Sequence, residues 1–267
     1  MAHTLHNNEM MKPAIVLPFS DPDGKMFPHL EAILPDLKEH FEHAYFSIPK
    51  NTQERHPANV RTLQEDAFFK LFYIESEKPV GAHFGFLYKN AAEAAHPEQI
   101  LHLCYIDRLS FALCTDHREH FLKDVDALTP EHLPLIFHRS ERAWATHPKN
   151  YYELESFVTN IGQTLFNKTL DYGWCHFVIQ AGQLKEIMPL VKKPDLSMVA
   201  EMILHVQENV KTREVDWLAW EDPFILGRDA GELKLERENS LAETQKRLSY
   251  VLPMVEMLAN FARNGKG

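Results

Sequence analysis

One apolar stretch, LHLCYIDRLSFAL from Leu101 to Leu113, carries an adjacent acid and base near its centre, and this feature constrains the fold most. An apolar run bounded by polar segments is typical of a buried strand, which we expect over 100–106. Desolvating a lone charge is expensive, so Asp107 and Arg108 cannot be buried unpaired. Either they form a structural ion pair, or the strand ends there and both face a cleft. In an open α/β sheet that cleft lies at the carboxyl ends of the strands.

The composition limits the partners and the location of the protein. The chain has 267 residues and a formal charge of −10, which argues against general affinity for nucleic acid or anionic membrane surfaces. No apolar run approaches the roughly 18 residues of a membrane span. The 3 cysteines form no CxxC pair, as expected in a reducing compartment. The first dozen residues lack the apolar core of a signal peptide, so we expect a loose tail and a cytoplasmic location.

Apolar runs alternate with segments of helical periodicity along the chain. Strand, helix and strand occupy 14–19, 28–41 and 44–49, which is a βαβ unit and favours parallel pairing. We therefore predict a single α/β domain over 1–267, with a mostly parallel central sheet and helices on both faces. The remaining strands are expected near 133–137, 175–180 and 215–220, with a long C-terminal helix at 238–263.

The turn after the first strand, SDPDG at 20–24, is similar to the DxDG motif of haloacid-dehalogenase phosphatases. In that family the first aspartate is a nucleophile and the second a general acid, which would assign these roles to Asp21 and Asp23. The match ends after the glycine, because Lys25 stands where those enzymes usually carry Thr or Val. A turn stabilised by aspartate side chains explains the same residues, so both interpretations remain open.

The order of elements, from the SDPDG turn to Tyr105-Ile106-Asp107-Arg108, resembles the GT-A fold of nucleotide-diphosphosugar transferases. The resemblance implies that the first loop binds the nucleotide and that the later strand ends at the position of a DxD motif. Such a motif holds a divalent metal on the diphosphate, because adjacent phosphates and a hard cation require oxygen ligands placed together. The nucleotide-binding residues implied in this way are Ser20, Asp21, Asp23 and Arg108.

The predicted metal site depends on Asp107 alone. Tyr105 stands where the first carboxylate of the DxD motif is expected, so the requirement for Mg²⁺ or Mn²⁺ stays open. Asp107 could still hold a cation through waters, and Arg108 could pair with phosphate directly.

The downstream region resembles the acceptor side of glucosyl- and mannosyl-transferring GT-A enzymes that act on glycerate-type acceptors. The similar segments are 142–148 and WEDPF at 220–224. The alternatives are structural: Pro148 would begin a helix, Glu155 would be an exposed helical residue and the acidic pair would end a strand. The resemblance implies acceptor binding by Arg142, His147, Glu155 and Arg228, and catalytic roles for Asp107, Glu221 and Asp222.

Three classes of function follow from these patterns. The first is a transferase that moves sugar from a nucleotide-diphosphosugar to a small acceptor, with a nucleotide-binding half at about 13–130 and an acceptor-side half at about 131–230. The second is a non-catalytic descendant that binds a nucleotide sugar or a partner protein. The third is the phosphatase that uses Asp21 and Asp23.

Overall fold

A seven-stranded sheet forms the centre of the computed structural model, within its described residues 12–75 and 78–265. The N-terminal tail expected from the sequence therefore lies outside the described residues, apart from Lys12. The strands are β1 (Ala14–Pro18), β2 (Ala44–Pro49), β3 (Phe69–Ile74), β4 (Ile100–Leu103), β5 (Leu135–Arg139), β6 (His176–Gln180) and β7 (Lys211–Val215). They lie in the order β3-β2-β1-β4-β6-β5-β7.

The sheet is mostly parallel, as predicted. β6 runs antiparallel to both of its neighbours, β4 and β5. The pairs β1–β2, β1–β4, β2–β3 and β5–β7 are parallel. Because β6 is reversed, its first residues lie at the edge of the sheet where β1, β4, β5 and β7 end.

Helices cover both faces of this sheet. Among the described residues, no helix is long and apolar enough to cross a membrane. The helices are α1 (Met26–His40), α2 (Lys50–Arg55), α3 (Pro57–Glu65), α4 (Val80–Ala94), α5 (Ile106–Cys114), α6 (Arg118–Asp126), α7 (Glu141–Thr146), α8 (Lys149–Phe166), α9 (Ala181–Ile187), α10 (Ser197–Val206), α11 (Asp222–Leu226), α12 (Ala230–Glu238) and α13 (Leu241–Arg263).

Strand β1 shows why both faces must be covered. Ala14 and Val16 are fully buried in a core shared with α4, α9, α10 and α13. Ile15 and Leu17 are fully buried in a second core, shared with α1, α5 and α6. Successive side chains of a strand point to opposite faces, so an unbroken apolar run requires an apolar layer on each side. The predicted α/β architecture is confirmed.

The central apolar stretch is a short strand followed by a helix, so the prediction of a strand over 100–106 was wrong at its end. β4 ends at Leu103, and α5 begins at Ile106 after an extended Tyr105. The following apolar side chains recur at helical spacing, with Leu109 and Leu113 buried on one side. A carboxylate in the first turn, here Asp107, also favours a helix start through the helix dipole.

The strand predicted at 215–220 was also placed wrongly. β7 covers Lys211–Val215, and the apolar residues after it form a buried turn that includes Trp217 and Trp220. β7 is an edge strand that pairs only with β5, so polar side chains are tolerated along it. The apolar residues after β7 are buried by the surrounding elements, although they are not part of a strand.

Candidate functional site

Asp21, one of the predicted nucleotide-binding residues, caps helix α1. Its Oδ1 accepts the backbone N–H of Lys25 at 2.8 Å, and its Oδ2 accepts those of Met26 and Phe27 at 2.7 and 3.0 Å. The side chain is buried, and the backbone N–H of Asp21 donates to Thr52 Oγ1 at 2.9 Å. Both carboxylate oxygens are therefore used by the helix. This corrects the assignment of Asp21 to a nucleotide or to a phosphatase nucleophile.

Replacing Asp21 by alanine is expected to lower the free energy of unfolding by about 1–2 kcal/mol, because the first N–H groups of α1 lose their acceptor. The matched control is Asp23→Ala, since Asp23 is exposed and pairs with Arg55 at 3.8 Å. We expect the control to change the free energy by less than about 0.5 kcal/mol. Urea denaturation measures both, and equal losses would contradict the capping role.

Arg108 lies in a buried ion pair with Glu221. Their side chains are 8% and 6% exposed, and Nη1 of Arg108 contacts Oε2 of Glu221. Burial raises the pKa of Glu221 to about 7, although the positive charge of Arg108 acts in the opposite direction. Neither arrangement left open by the sequence holds for both residues: Arg108 pairs with Glu221 instead of Asp107, whereas Asp107 is partly exposed. Arg108 is thus not an open phosphate ligand, and Glu221 is not an open catalytic carboxylate.

His147 completes this buried group. Its Nε2 lies 3.5 Å from Arg108 Nη1, and its Nδ1 lies 2.9 Å from the carbonyl oxygen of Ala143. These partners favour the tautomer in which Nδ1 carries the proton and Nε2 accepts. Burial, together with Arg139 and Arg108, lowers the pKa of His147 well below its usual range. The imidazole is therefore neutral. It lies beside the Arg108 guanidinium as a buried hydrogen-bond partner.

Asp107 is partly exposed at the start of α5. Its Oδ1 accepts the backbone N–H of Arg108 at 2.8 Å. Tyr105 points away into an aromatic group, with ring centroids 5.4 Å from Phe84 and 6.4 Å from Trp174. In the part of the chain that the structure describes, no group of three or more His, Cys, Asp and Glu is arranged to hold a metal. These donors do not fit a preformed Mg²⁺ or Mn²⁺ site.

A second charged group lies at the end of β5, and sequence reasoning identified only one of its members, Glu155. The two carboxylate oxygens of Glu155 bind different arginines. Oε2 accepts from Arg139 Nη1 at 3.1 Å, and Oε1 accepts from Arg247 Nη1 at 2.9 Å. Each guanidinium also lies over an aromatic ring, Arg139 over Trp144 at 4.4 Å and Arg247 over Tyr151 at 3.6 Å. Arg139 is the last residue of β5, and a charged residue at the end of an apolar strand is the signal that could have identified it.

A cavity of about 270 Å³ opens next to this charged group. Its walls are mostly apolar and come from α4, α8, α10, α13 and the residues around the start of β6. Arg139, Glu155 and Arg247 supply the charges, and burial raises the pKa of the nearby Cys175 thiol. The lining residues are Val80, Phe84, Tyr105, Arg139, Glu155, Val158, Gly173, Trp174, Cys175, Leu196, Val199, Arg247, Tyr250, Val251 and Met254.

Three of the remaining predicted residues lie in ion pairs outside these two groups. Arg142 is 86% exposed and pairs with Asp216 at 2.9 Å. Arg228 is exposed and pairs with Glu236 at 2.8 Å. Asp222, in the first turn of α11, lies 3.7 Å from an Arg237 nitrogen. Ser20 is exposed, two residues after the end of β1.

No family model and no curated protein matches the sequence. The fold is similar to that of 4-diphosphocytidyl-2C-methyl-D-erythritol synthase from Anaerococcus prevotii, with a TM-score of 0.50 and 11% identity, covering 84% of this chain and 99% of that one. It also resembles glucosyl-3-phosphoglycerate synthase from Mycobacterium tuberculosis in complex with Mn²⁺, UDP-glucose and phosphoglyceric acid. That match has a TM-score of 0.48 and 8% identity, covering 93% of this chain and 81% of that one. The similarity to the Anaerococcus prevotii enzyme confirms the predicted GT-A-like fold.

Proposed function

We propose that this protein binds a nucleotide-diphosphosugar and transfers the sugar to a small acceptor. The observation that carries the proposal is Asp107, a partly exposed carboxylate in the first turn of α5, the helix that follows the central strand β4 of a GT-A-like sheet. Ligands of open α/β sheets bind at the carboxyl ends of the strands, where Asp107 lies. The similar structure from Anaerococcus prevotii is a synthase named for a diphosphocytidyl compound, which supports nucleotide binding by this fold.

The proposed contacts with the ligand are assigned to polar side chains that are not already used in a helix cap or a buried ion pair. Ser20 and Asp107 would contact the nucleotide sugar, and Arg108 would act as a positioning residue whose charge lies beside Asp107. In the transfer, an acceptor hydroxyl oxygen forms a bond to the anomeric carbon. The bond from that carbon to the diphosphate oxygen breaks, with the electron pair leaving on the diphosphate. The hydroxyl proton passes to the carboxylate of Asp107, which acts as general base.

Calorimetric titration of common nucleoside diphosphate sugars tests the binding half of the proposal. Titrations in Mn²⁺ and in EDTA test whether a divalent metal takes part, because a diphosphate supplies oxygen ligands that the residues around Asp107 lack. Mn²⁺ alone should leave the melting temperature unchanged, since a ligand stabilises only a fold that binds it. Absence of heat with every nucleotide sugar, from a folded protein, would contradict the proposal.

Release of nucleoside diphosphate in the presence of a hydroxylated acceptor tests the transfer half. We expect Asp107→Asn to lower this rate by about 10²-fold or more while binding changes little, because a general base contributes that much. The control is Asp116→Asn, an exposed carboxylate that follows α5. Tight binding without any release would instead favour the non-catalytic descendant.

A further inference from the structure

We propose that the cavity beside Arg139, Glu155 and Arg247 is a binding site for an amphipathic anion, a molecule with an apolar body and one carboxylate or phosphate monoester group. The inference rests on the proposed function only in one respect, namely that such a ligand would be the acceptor. The cavity itself is a feature of the fold, and its occupancy can be measured without any nucleotide.

The walls of the cavity select an apolar body. The buried side chains of Val158, Val199, Val251, Met254 and Trp174 line it, and they come from different elements. Apolar surface of this kind gains free energy when a ligand displaces water from it. Small-molecule sites in proteins are typically lined in this way, with a few polar groups that orient the ligand.

The charged end selects an anion. Among the residues that line the cavity, Arg139 and Arg247 carry two positive charges and Glu155 carries one negative charge. The Cys175 thiol adds no charge, because burial raises its pKa. Asp171 pairs with Arg139 at 3.7 Å from a neighbouring cavity, which Arg139 also lines. The cavity itself is thus lined by two guanidinium groups and one carboxylate.

The two arginines also keep unused donors. The Nε–H of Arg139 and that of Arg247 are buried and have no hydrogen-bond partner within the described chain. Arg139 is itself 4% exposed, so water cannot serve this donor freely. A buried donor without an acceptor costs free energy, and a carboxylate or phosphate is the acceptor that an arginine binds best. A ligand that brings an anionic group to this end of the cavity would offer these donors an acceptor.

The entrance to the cavity lies at the start of α4. Val80, the first residue of that helix, lines the cavity and is 42% exposed. A larger side chain at this position would narrow the entrance without changing the buried core. This provides a variant that blocks access and still folds.

Calorimetric titration with octanoate, octylammonium and acetate tests the inference. Octanoate has both the apolar body and the anionic group, whereas each of the other probes lacks one of them. We expect octanoate to bind at least tenfold more tightly than octylammonium or acetate. Val80→Trp and Arg247→Met should each weaken octanoate binding at least tenfold, the first by closing the entrance and the second by removing a guanidinium group from the lining. Arg118→Met, an exposed arginine paired with Asp36, should leave it unchanged.

The outcomes separate this inference from the proposed function. Equal affinity for all three probes, or octanoate binding unchanged in both Val80→Trp and Arg247→Met, overturns the cavity assignment. The same preparations are titrated with nucleotide sugars. Octanoate binding without nucleotide-sugar binding keeps the cavity site and rejects the transferase, whereas the reverse result rejects the cavity site alone.

Discussion

Replacing Arg108 by methionine is expected to lower the free energy of unfolding by about 3–5 kcal/mol at pH 8, because it leaves the buried carboxylate of Glu221 without its partner. Methionine retains the unbranched, apolar part of the side chain, so lost packing contributes little. Urea denaturation with a constant slope m in both proteins measures the loss. A loss below about 1 kcal/mol would show that the pair is open to solvent.

The pH dependence of this loss follows from the pKa of Glu221. Burial raises that pKa to about 7 in the folded protein, above the ordinary value of a glutamate, so folding favours the protonated carboxyl. A group of this kind stabilises the fold fully at low pH, and its contribution is lost as the pH rises through the folded pKa. Without Arg108 the folded pKa of Glu221 rises further. The deficit of the variant should therefore be largest at pH 8 and should shrink toward pH 5.

A double-mutant cycle separates the pair from the individual side chains. Glu221→Gln removes the carboxylate charge but keeps a polar side chain of the same length. The double variant should be more stable than Arg108→Met alone, because no buried charge then lacks a partner. If the two single losses simply add, Arg108 and Glu221 are not coupled, and the buried pair is contradicted.

Acidification from pH 8 to pH 5 is expected to remove about 4 kcal/mol of stability through two buried histidines, His102 and His176. The two rings lie in the core with Nε2 of His102 2.9 Å from Nδ1 of His176. Burial lowers the pKa of His102 to about 3, and burial followed by the charge of His102 lowers that of His176 well below its usual range. Both rings therefore stay neutral in the folded protein at pH 5.

The sign of this effect is opposite to that of Glu221. In the unfolded chain a histidine takes up a proton below about pH 6.5, whereas the two buried rings do not. The unfolded state then binds more protons, so stability falls with decreasing pH, by about 1.4 kcal/mol per unit and per ring. Burial also lowers the pKa of His83 and His147, which acts in the same direction.

Stability measured by urea denaturation between pH 5 and pH 8 tests this prediction. The double variant His102→Leu, His176→Leu should show a slope that is smaller by about two protons between pH 5 and pH 6. His43→Asn is the matched control for removing an imidazole outside the core, since His43 is partly exposed. If the double variant keeps the full slope, the two buried rings do not titrate as proposed.

The amino-acid sequence determined the layers of this fold by itself. Unbroken apolar runs such as AIVLP in β1 can be satisfied only by a strand that is covered on both faces, and the alternation with helical periods makes the sheet mostly parallel. The acid and base that interrupt the apolar run, Asp107 and Arg108, predicted a break in the strand, and β4 does end before them. These are local patterns, and each depends on residues that are close in the chain.

The tertiary structure alone decided which charges meet. The Glu155–Arg247 hydrogen bond joins residues 92 positions apart, and the Arg108–His147 contact joins residues 39 positions apart. Such partners depend on the reversed direction of β6 and on how α8 and α13 pack, which no local pattern contains. The same packing uses Asp21 to cap α1 and turns Tyr105 into a cavity wall. A charged residue within an apolar run indicates that a partner is needed, because an unpaired buried charge is costly to desolvate. Which residue supplies that partner depends on the packing of distant elements, and only the tertiary structure determines it.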